Sequence, residues 1–216
     1  MSEEYPAIDC CAIILAGGLN TRMKGRNKAF LKIDGRTILD RLLNSLRSVF
    51  SEIMLVTRQP DQYDGYSIRF VVDIHKGRSS LTGIHAGLVH AKAAFGFVVP
   101  CDIPFLQPNL IRLLLDELEP DLEVVVPFYD GHYQPLCAIY SKRCIPLIEK
   151  QLASSDYKIS HLFERVRVKT VPLEKLTIAD PDLLSFLNVN TPASYDACRQ
   201  LAAERSKERS EPWEMC

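Results

Sequence analysis

The residue types best suited to chemistry in this sequence lie in a glycine-rich, basic segment near its N-terminus. Residues 17–28 combine several glycines with a set of cations and contain no acid: Gly17, Gly18 and Gly25, and Arg22, Lys24, Arg26 and Lys28. Glycine lets the backbone bend tightly and approach a ligand closely. Backbone N–H groups and cations in one loop can therefore surround and neutralise a polyphosphate. A solvated surface turn is the alternative interpretation.

The residues before this loop favour the phosphate site. Residues 12–16 form a short apolar run with β-branched side chains, which predicts a buried parallel strand that ends directly in the loop. The loop is not a P-loop, because no glycine has the Gly-x-x-x-x-Gly-Lys-Ser/Thr spacing relative to Lys28. The pattern Gly-x-Gly-x-x-Gly is also absent from it.

Two aspartates follow other predicted strands. Asp102 ends the run Val98-Val-Pro-Cys-Asp102, and a carboxylate there, beside a phosphate loop, can hold Mg²⁺, which prefers oxygen ligands. The alternative for Asp102 is a helix-capping or turn aspartate. Asp73 ends residues 69–72 and can either accept hydrogen bonds from a base or ribose or cap the next turn. Both interpretations of Asp73 remain open.

Two asparagines lie near the C-terminal end of the predicted domain. Asn188 and Asn190 flank Val189, so their side chains point the same way if the segment is extended. Two amides on one face can hydrogen-bond a heterocycle or a phosphate. The alternative is a simple turn before Pro192.

The elements that must position these residues alternate between strand and helix. The pattern predicts an α/β fold, with a single-domain, doubly wound, mostly parallel sheet of the Rossmann-like type and one antiparallel strand. We assign residues 1–203 to this domain and residues 204–216 to a charged, fraying tail. The predicted strands are residues 12–16, 53–56, 69–72, 97–99, 124–126, 136–140 (antiparallel) and 166–171, and the main helices begin near Thr37, Thr82, Pro108, Ile145, Ile159 and Pro192.

The sheet prediction brings separate parts of the sequence together. In doubly wound sheets, ligands bind beyond the carboxyl ends of the strands. Gly17, Thr57, Asp73 and Asp102 each follow a predicted strand. We therefore expect these residues to meet at one edge of the sheet.

Composition limits the classes of partner. The 216 residues carry a formal net charge of −1, which gives no indication of nucleic acid or an acidic membrane as a partner. No apolar run reaches the roughly 20 residues of a membrane helix, and the opening Met-Ser-Glu-Glu does not resemble a signal peptide. The 7 cysteines include no Cys-x-x-Cys pair, so zinc or iron–sulfur ligation is not expected. Their odd number suggests a reducing cytoplasm.

A set of motifs runs along the sequence: Leu15-Ala-Gly-Gly18, Arg22-Met23, Lys28-Ala-Phe-Leu-Lys-Ile-Asp-Gly35, Asp73, Leu81-Thr-Gly83, Pro100-Cys-Asp-Ile-Pro104, Gln134-Pro-Leu136 and Asn188-Val-Asn-Thr-Pro192. Taken together, these motifs resemble those of the molybdenum cofactor guanylyltransferase family, whose members join GMP to molybdopterin. The resemblance covers about residues 12–201, and the joint presence of the Cys-Asp-x-Pro and Asn-Val-Asn-Thr-Pro motifs is more specific than the opening loop.

The resemblance implies a reaction and a set of roles. The terminal phosphate of molybdopterin would attack the α-phosphorus of GTP with Mg²⁺ bound to Asp102, and molybdoenzyme-specific chaperones would receive the product. Catalytic roles would fall to Arg22, Lys28 and Asp102. Nucleotide contacts would come from Leu15, Ala16, Gly17, Gly18, Lys28, Thr57, Asp73 and Asp102, and pterin contacts from Arg22, Asn188 and Asn190.

The sequence departs from the family pattern at two places. Thr57 stands where the family often has Asn, and Ser79-Ser-Leu-Thr-Gly83 stands where it usually has Gly-Pro-Leu-x-Gly. Related cytidylyltransferases typically have Leu-Ala-Ala-Gly in the opening loop, so Gly17 favours the larger guanine. A cytidylyl- or sugar-nucleotidyltransferase, and a nucleotide sensor or carrier without turnover, remain as alternatives.

Overall fold

A mixed β-sheet forms the centre of the molecule. The structure, a computed structural model, describes residues 9–18, 27–73, 75, 77 and 79–210. The strands in these residues are β1 Cys10–Leu15, β2 Lys32–Ile33, β3 Arg36–Thr37, β4 Ile53–Thr57, β5 Arg69–Val72, β6 Phe95–Pro100, β7 Val124–Tyr129, β8 His132–Tyr133, β9 Ala138–Ser141 and β10 Val168–Pro172. Eight of them form one sheet in the order β10-β7-β9-β6-β1-β4-β5, with β8 paired to β7.

Helices connect the strands and cover the sheet. The α-helices in the described part of the chain are α1 Ile38–Arg47, α2 Ser80–His90, α3 Pro108–Asp116, α4 Ile145–Ala153, α5 Ile159–Phe163, α6 Leu173–Ala179 and α7 Pro192–Ser210. Helix α6 is a difference from the sequence analysis, which contained no helix between the last strand and α7. None of the helices that the structure describes is both long and apolar enough to cross a membrane.

The direction of the strands follows the prediction with one correction. Strand β1 runs parallel to β4 and β6, β4 runs parallel to β5, and β7 runs parallel to β10. Strand β9 is the predicted antiparallel strand, and it pairs with both β6 and β7. The sheet also contains β8, a second antiparallel strand, because Asp130 and Gly131 take positive φ values of 51° and 74° and fold the chain back onto β7.

The apolar core lies on both faces of the sheet. Ala12 and Ile14 of β1 pack into one layer, while Cys11 and Ile13 pack into the other. This alternation is what a period of two residues requires of a strand that is covered on both faces. All four side chains are fully buried, so β1 fixes the position of the loop that follows it.

The first helix begins where the sequence predicts. The Thr37 hydroxyl accepts a hydrogen bond from the Asp40 amide at 3.0 Å, and the Asp40 carboxylate accepts one from the Thr37 amide at 3.3 Å. This reciprocal capping box satisfies amides that the first turn leaves without helical partners. The buried face of α1 consists of Ile38, Leu39, Leu42, Leu43 and Leu46.

The last helix also begins as predicted but extends further. The Thr191 hydroxyl accepts a hydrogen bond from the Ser194 amide at 3.1 Å, so Thr191 caps α7. Helix α7 then continues past residue 203 to Ser210, with Ala202 buried and Arg205 bonded to Asp182 at 2.5 Å. The predicted boundary at residue 203 therefore falls inside a helix.

Candidate functional site

A cleft lies at the carboxyl ends of β1, β4, β5 and β6. Its volume is about 510 Å³. The lining residues come from the ends of these strands, the start of α2 and two more distant segments: Leu15, Ala16, Gly17, Gly18, Asn27, Lys28, Val56, Thr57, Arg58, Asp73, Ser79, Ser80, Gly83, Pro100, Cys101, Asp102, Leu136 and Asn190. The four strand-end residues that were expected to meet, Gly17, Thr57, Asp73 and Asp102, all line it.

Most of the predicted site residues therefore share one cleft. Leu15, Ala16, Gly18, Lys28 and Asn190 line it together with the four strand-end residues. Asn188 is exposed and is not part of the lining, and Arg22 lies outside the described residues. Location alone leaves the binding and catalytic roles of these residues as predictions.

Lys28 lies at the centre of a polar cluster in the cleft. Its ammonium Nζ is 3.2 Å from Asp102 Oδ2 and 2.6 Å from Asn190 Oδ1. The Val189 amide donates to the Asp102 carbonyl at 2.9 Å, which holds the segment carrying Asn190 against the end of β6. The Lys28 and Asp102 side chains are only 14% and 16% exposed, so this ion pair is shielded from solvent.

Asp73 is engaged inside the protein. Its Oδ1 accepts a hydrogen bond from the His75 amide at 3.0 Å. Its Oδ2 accepts hydrogen bonds from the Thr82 hydroxyl at 2.7 Å and from Arg58 at 3.3 Å. Asp73 thus caps the following turn, which was one of its two predicted roles, and it has few lone pairs left for a nucleotide.

Arg58 connects the end of β4 to the segment after β5. Besides Asp73, its guanidinium donates to the carbonyl oxygens of His75 and Gly77, the latter at 2.7 Å. The sequence analysis did not include Arg58 in the site. The rule that selected Thr57 could have found it, because Arg58 is the next residue after the same strand.

The two departures from the family pattern have structural roles of their own. Thr57 is 2% exposed, and its hydroxyl accepts a hydrogen bond from the Gln59 amide at 3.1 Å. Ser79 is the N-cap of α2, where its hydroxyl accepts from the Thr82 amide at 3.2 Å. Both hydroxyls therefore shape the wall of the cleft through the backbone.

Cys101 lies in the cleft beside Asp102 but is a poor nucleophile. Burial, together with the neighbouring Asp102 carboxylate, raises the pKa of the Cys101 thiol to about 12. Thiols react as thiolates, so Cys101 is neutral and unreactive near neutral pH.

The cleft offers one carboxylate that suits a divalent cation. Among the described residues, no group of three or more His, Cys, Asp or Glu side chains could hold a metal ion. Asp102 has an oxygen that accepts from Lys28, and the described residues provide no hydrogen bond to its Oδ1. A hard ion with one protein carboxylate can complete its shell with substrate phosphates and water, so the donor set fits Mg²⁺ together with a polyphosphate.

Comparisons with known proteins show which proteins this sequence is similar to. The family model described as "MobA-like NTP transferase domain" matches residues 12–170. A molybdenum cofactor guanylyltransferase from Desulfosudis oleivorans is 40% identical over 179 residues, covering 83% of this chain and 89% of that protein.

The fold also resembles those of solved structures. The molybdopterin-guanine dinucleotide biosynthesis protein A from Archaeoglobus fulgidus superposes with a TM-score of 0.79 and 28% identity, covering 90% of this chain and 99% of that one. The 4-diphosphocytidyl-2C-methyl-D-erythritol synthase from Anaerococcus prevotii has a TM-score of 0.68 at 18% identity, covering 91% and 97%, a likeness of fold alone. Because the family model spans most of the sequence and the Desulfosudis relative aligns along most of both proteins, the chain belongs to the MobA-like NTP transferase family.

Proposed function

We propose that this protein transfers GMP from GTP to the terminal phosphate of molybdopterin. A phosphate oxygen of molybdopterin attacks the α-phosphorus of GTP, the bond from that phosphorus to the bridging oxygen breaks, and pyrophosphate leaves. The product is molybdopterin guanine dinucleotide. The name of the Desulfosudis relative and the family model both support this reaction.

The observation that carries the proposal is the cluster around Lys28. A cation and a carboxylate stand 3.2 Å apart in a cleft at the carboxyl ends of parallel strands, beside the glycines that follow β1. Lys28 neutralises the triphosphate and the charge that moves toward the leaving group. Gly17 and Gly18 let the backbone approach the nucleotide, and the space over Gly17 takes the guanine.

A divalent metal ion belongs to this chemistry. Members of this nucleotidyltransferase family generally use one. We assign it as Mg²⁺ held by Asp102, where it supplies positive charge to the phosphates when bound. Asp73 is less suited to the metal because the amide of His75, the hydroxyl of Thr82 and the guanidinium of Arg58 already use its oxygens.

The pterin substrate occupies the side of the cleft near Asn190. The side-chain amide of Asn190 faces Lys28, so a molybdopterin phosphate bound beside Asn190 would approach the same cation as GTP. We assign Arg22 and Asn188 to this side as well, on the family resemblance. Reaction in the cytoplasm and delivery of the product to molybdoenzyme-specific chaperones complete the proposal.

The test is GTP- and molybdopterin-dependent release of pyrophosphate with Mg²⁺. We expect Asp102→Asn to reduce kcat by about 10²-fold or more, because it removes the charged ligand of the metal ion that would stabilise the reacting phosphates. Asp182→Asn is the matched control. Asp182 is 65% exposed and pairs with Arg205 outside the cleft, so its kcat should equal that of the wild type.

Three outcomes would contradict the proposal. Wild-type rates in Asp102→Asn would remove this carboxylate from the reaction. Binding of GTP without pyrophosphate release under any pterin condition would indicate a nucleotide carrier. Greater thermal stabilisation by CTP than by GTP would indicate that the nucleotide base is cytosine and not guanine.

A further inference from the structure

Asn27, the residue directly before Lys28, uses its whole side-chain amide in hydrogen bonds to other residues of the protein. Its Oδ1 accepts a hydrogen bond from the Ala29 amide at 3.1 Å. Its Nδ2 donates to Gln62 Oε1 at 2.9 Å and to the Tyr63 hydroxyl at 3.0 Å. An amide nitrogen has two hydrogens, so both donors of Asn27 are occupied although the residue lines the cleft.

One partner of Asn27, the Tyr63 side chain, is held in the core. Tyr63 is 1% exposed, and its ring packs against Phe30 and Phe70 with centroid distances of 5.2 and 6.3 Å. Gln62 is exposed, and its Nε2 donates to Oε1 of Gln59, which is also exposed, at 2.8 Å. These residues belong to the 3-10 turn Pro60–Tyr63 after β4, which is distant in sequence from Lys28.

The hydrogen bond from the Ala29 amide to the Asn27 side chain sets the backbone position of Lys28. Asn27 is the N-cap of the 3-10 helix Lys28–Phe30, so its side chain sets where that turn begins. Ala29 is fully buried in the next position, which leaves Lys28 directed toward Asp102 and Asn190. One amide therefore fixes the backbone from which the cleft cation extends.

We propose that Asn27, tethered by Tyr63 and Gln62, is a positioning residue that aims Lys28 at the reacting phosphates. The inference rests on the proposed transfer reaction for its substrate, but the tether itself is a property of this chain. Asn27 acts through Lys28 and makes no contact with substrate of its own. Its loss lowers kcat through the placement of Lys28, since displacement of a positioning group by about 1 Å can cost on the order of 10²-fold in rate.

Two single substitutions isolate the tether. Tyr63→Phe removes the hydroxyl that accepts from Asn27 and keeps the ring in its packed site. Asn27→Ser keeps a residue that can cap Ala29 but is too short to reach the turn Pro60–Tyr63. We expect each variant to reduce kcat about tenfold with a smaller change in KM for GTP.

The matched control is Tyr66→Phe. The Tyr66 hydroxyl bonds to Thr37 Oγ1 at 3.2 Å, and its ring also packs against Phe30, with a centroid distance of 6.3 Å. This substitution removes a neighbouring hydroxyl of the same kind that does not contact Asn27. Its kcat should match the wild type, whereas a decrease equal to that of Tyr63→Phe would overturn the proposal.

A double-mutant cycle with Lys28→Ala gives the decisive readout. If Asn27 acts through Lys28, adding Asn27→Ser to Lys28→Ala produces no further loss of kcat or of GTP affinity. Losses that multiply would show that Asn27 acts independently and would overturn the proposal. Calorimetric measurement of GTP affinity tests the positioning role of Asn27 without using the transfer reaction. If the wild type releases no pyrophosphate, only the proposed function is contradicted.

Discussion

At the scale of single residues, Gly17 is a glycine that the packing of the described residues does not require. A Cβ atom built on Gly17 would meet no heavy atom within 4 Å in the described structure. Packing therefore does not require glycine at this position, although it lines the cleft. The missing side chain is more readily explained by a ligand that lies over the backbone.

We therefore predict that Gly17→Ala changes nucleotide preference without changing stability. The thermal melting temperature without ligand should equal that of the wild type, because the methyl group enters open space. GTP affinity should fall by about tenfold relative to CTP, since one methyl group in a binding pocket has an effect of this size. Calorimetric titration of the protein with each nucleotide, in the presence of Mg²⁺, measures the ratio of the two affinities. An unchanged ratio would show that Gly17 does not select the base.

Asp73 shows the limit of sequence prediction at this scale. Its position after β5 was predictable because strand ends share an edge of the sheet. Its bonds to Thr82 and Arg58 were not, because they depend on how α2 and the end of β4 pack around it. The sequence identified the residue and its location, while its partners required the tertiary structure.

At the scale of elements, α2 packs so closely on β1 that it needs glycine. A Cβ atom at Gly87 would lie 2.4 Å from Ile13 Cγ2, and one at Gly96 of β6 would lie 2.4 Å from Ile13 Cδ1. Ile13 is fully buried and has no room to move away. This close contact holds the start of α2, with Ser79 and Ser80, beside the cleft.

Gly87→Ala should therefore destabilise the protein even though alanine is the better helix former. We expect the free energy of unfolding to fall by about 1–3 kcal/mol because of overpacking. Urea denaturation measures the change. Val89→Ala, on the exposed side of the same helix, should stay within about 0.5 kcal/mol of the wild type. A more stable Gly87→Ala variant would contradict the tight contact.

The connection between α6 and α7 depends on one buried carboxylate. Asp180 is 1% exposed and accepts hydrogen bonds from the amides of Leu184 at 3.0 Å and Ser185 at 2.8 Å. The Ser185 hydroxyl in turn accepts from the Gln107 amide at 2.9 Å, at the start of α3. Asp180 thereby anchors the chain a few residues before Asn190 reaches the cleft.

Asp180→Ala should cost about 3 kcal/mol of stability, because two buried amides lose their acceptor. Chemical denaturation followed by circular dichroism gives this value. Asp182→Ala, two residues away and 65% exposed, serves as the comparison and should change stability by less than about 1 kcal/mol. Equal losses in the two variants would show that the buried bonds of Asp180 do not anchor this segment.

At the scale of the whole molecule, buried acidic groups connect stability to pH. Burial is the main cause that raises the pKa values of Cys11, Cys101, Cys144 and Tyr63, each to about 12. In the unfolded chain, the thiols ionise at about pH 8.5 and the phenol at about pH 10. At alkaline pH the unfolded state therefore binds fewer protons than the folded state.

This difference predicts alkaline destabilisation. The contribution is fully present below about pH 8.5 and is lost as the pH rises toward the folded pKa values, at up to about 1.4 kcal/mol per pH unit for each ionising group. Urea denaturation with reductant at about pH 7.5, 9 and 10 measures the slope. Cys144→Ala should make the slope shallower, and a free energy of unfolding that does not change with pH would contradict the prediction.

The sequence by itself determined the alternation of strands and helices, the parallel core of the sheet and the edge at which the site lies. These follow from local apolar patterns, caps and turns, and from the rule that parallel strands end on the same side. The elements β8 and α6, which the sequence analysis did not predict, are small. Strand β8 has two residues, and α6 is a short helix with a weak apolar pattern.

Only the tertiary structure decided which residues touch. Lys28 meets Asn190, 162 positions away, while Asn188 remains exposed, and Asn27 meets Tyr63 across 36 positions. Such contacts depend on the packing of whole elements to within about 1 Å, which residue type and spacing along the chain do not encode locally. The residue types that line the cleft are therefore predictable from the sequence, but the geometry of the cleft depends on how the helices pack on the sheet.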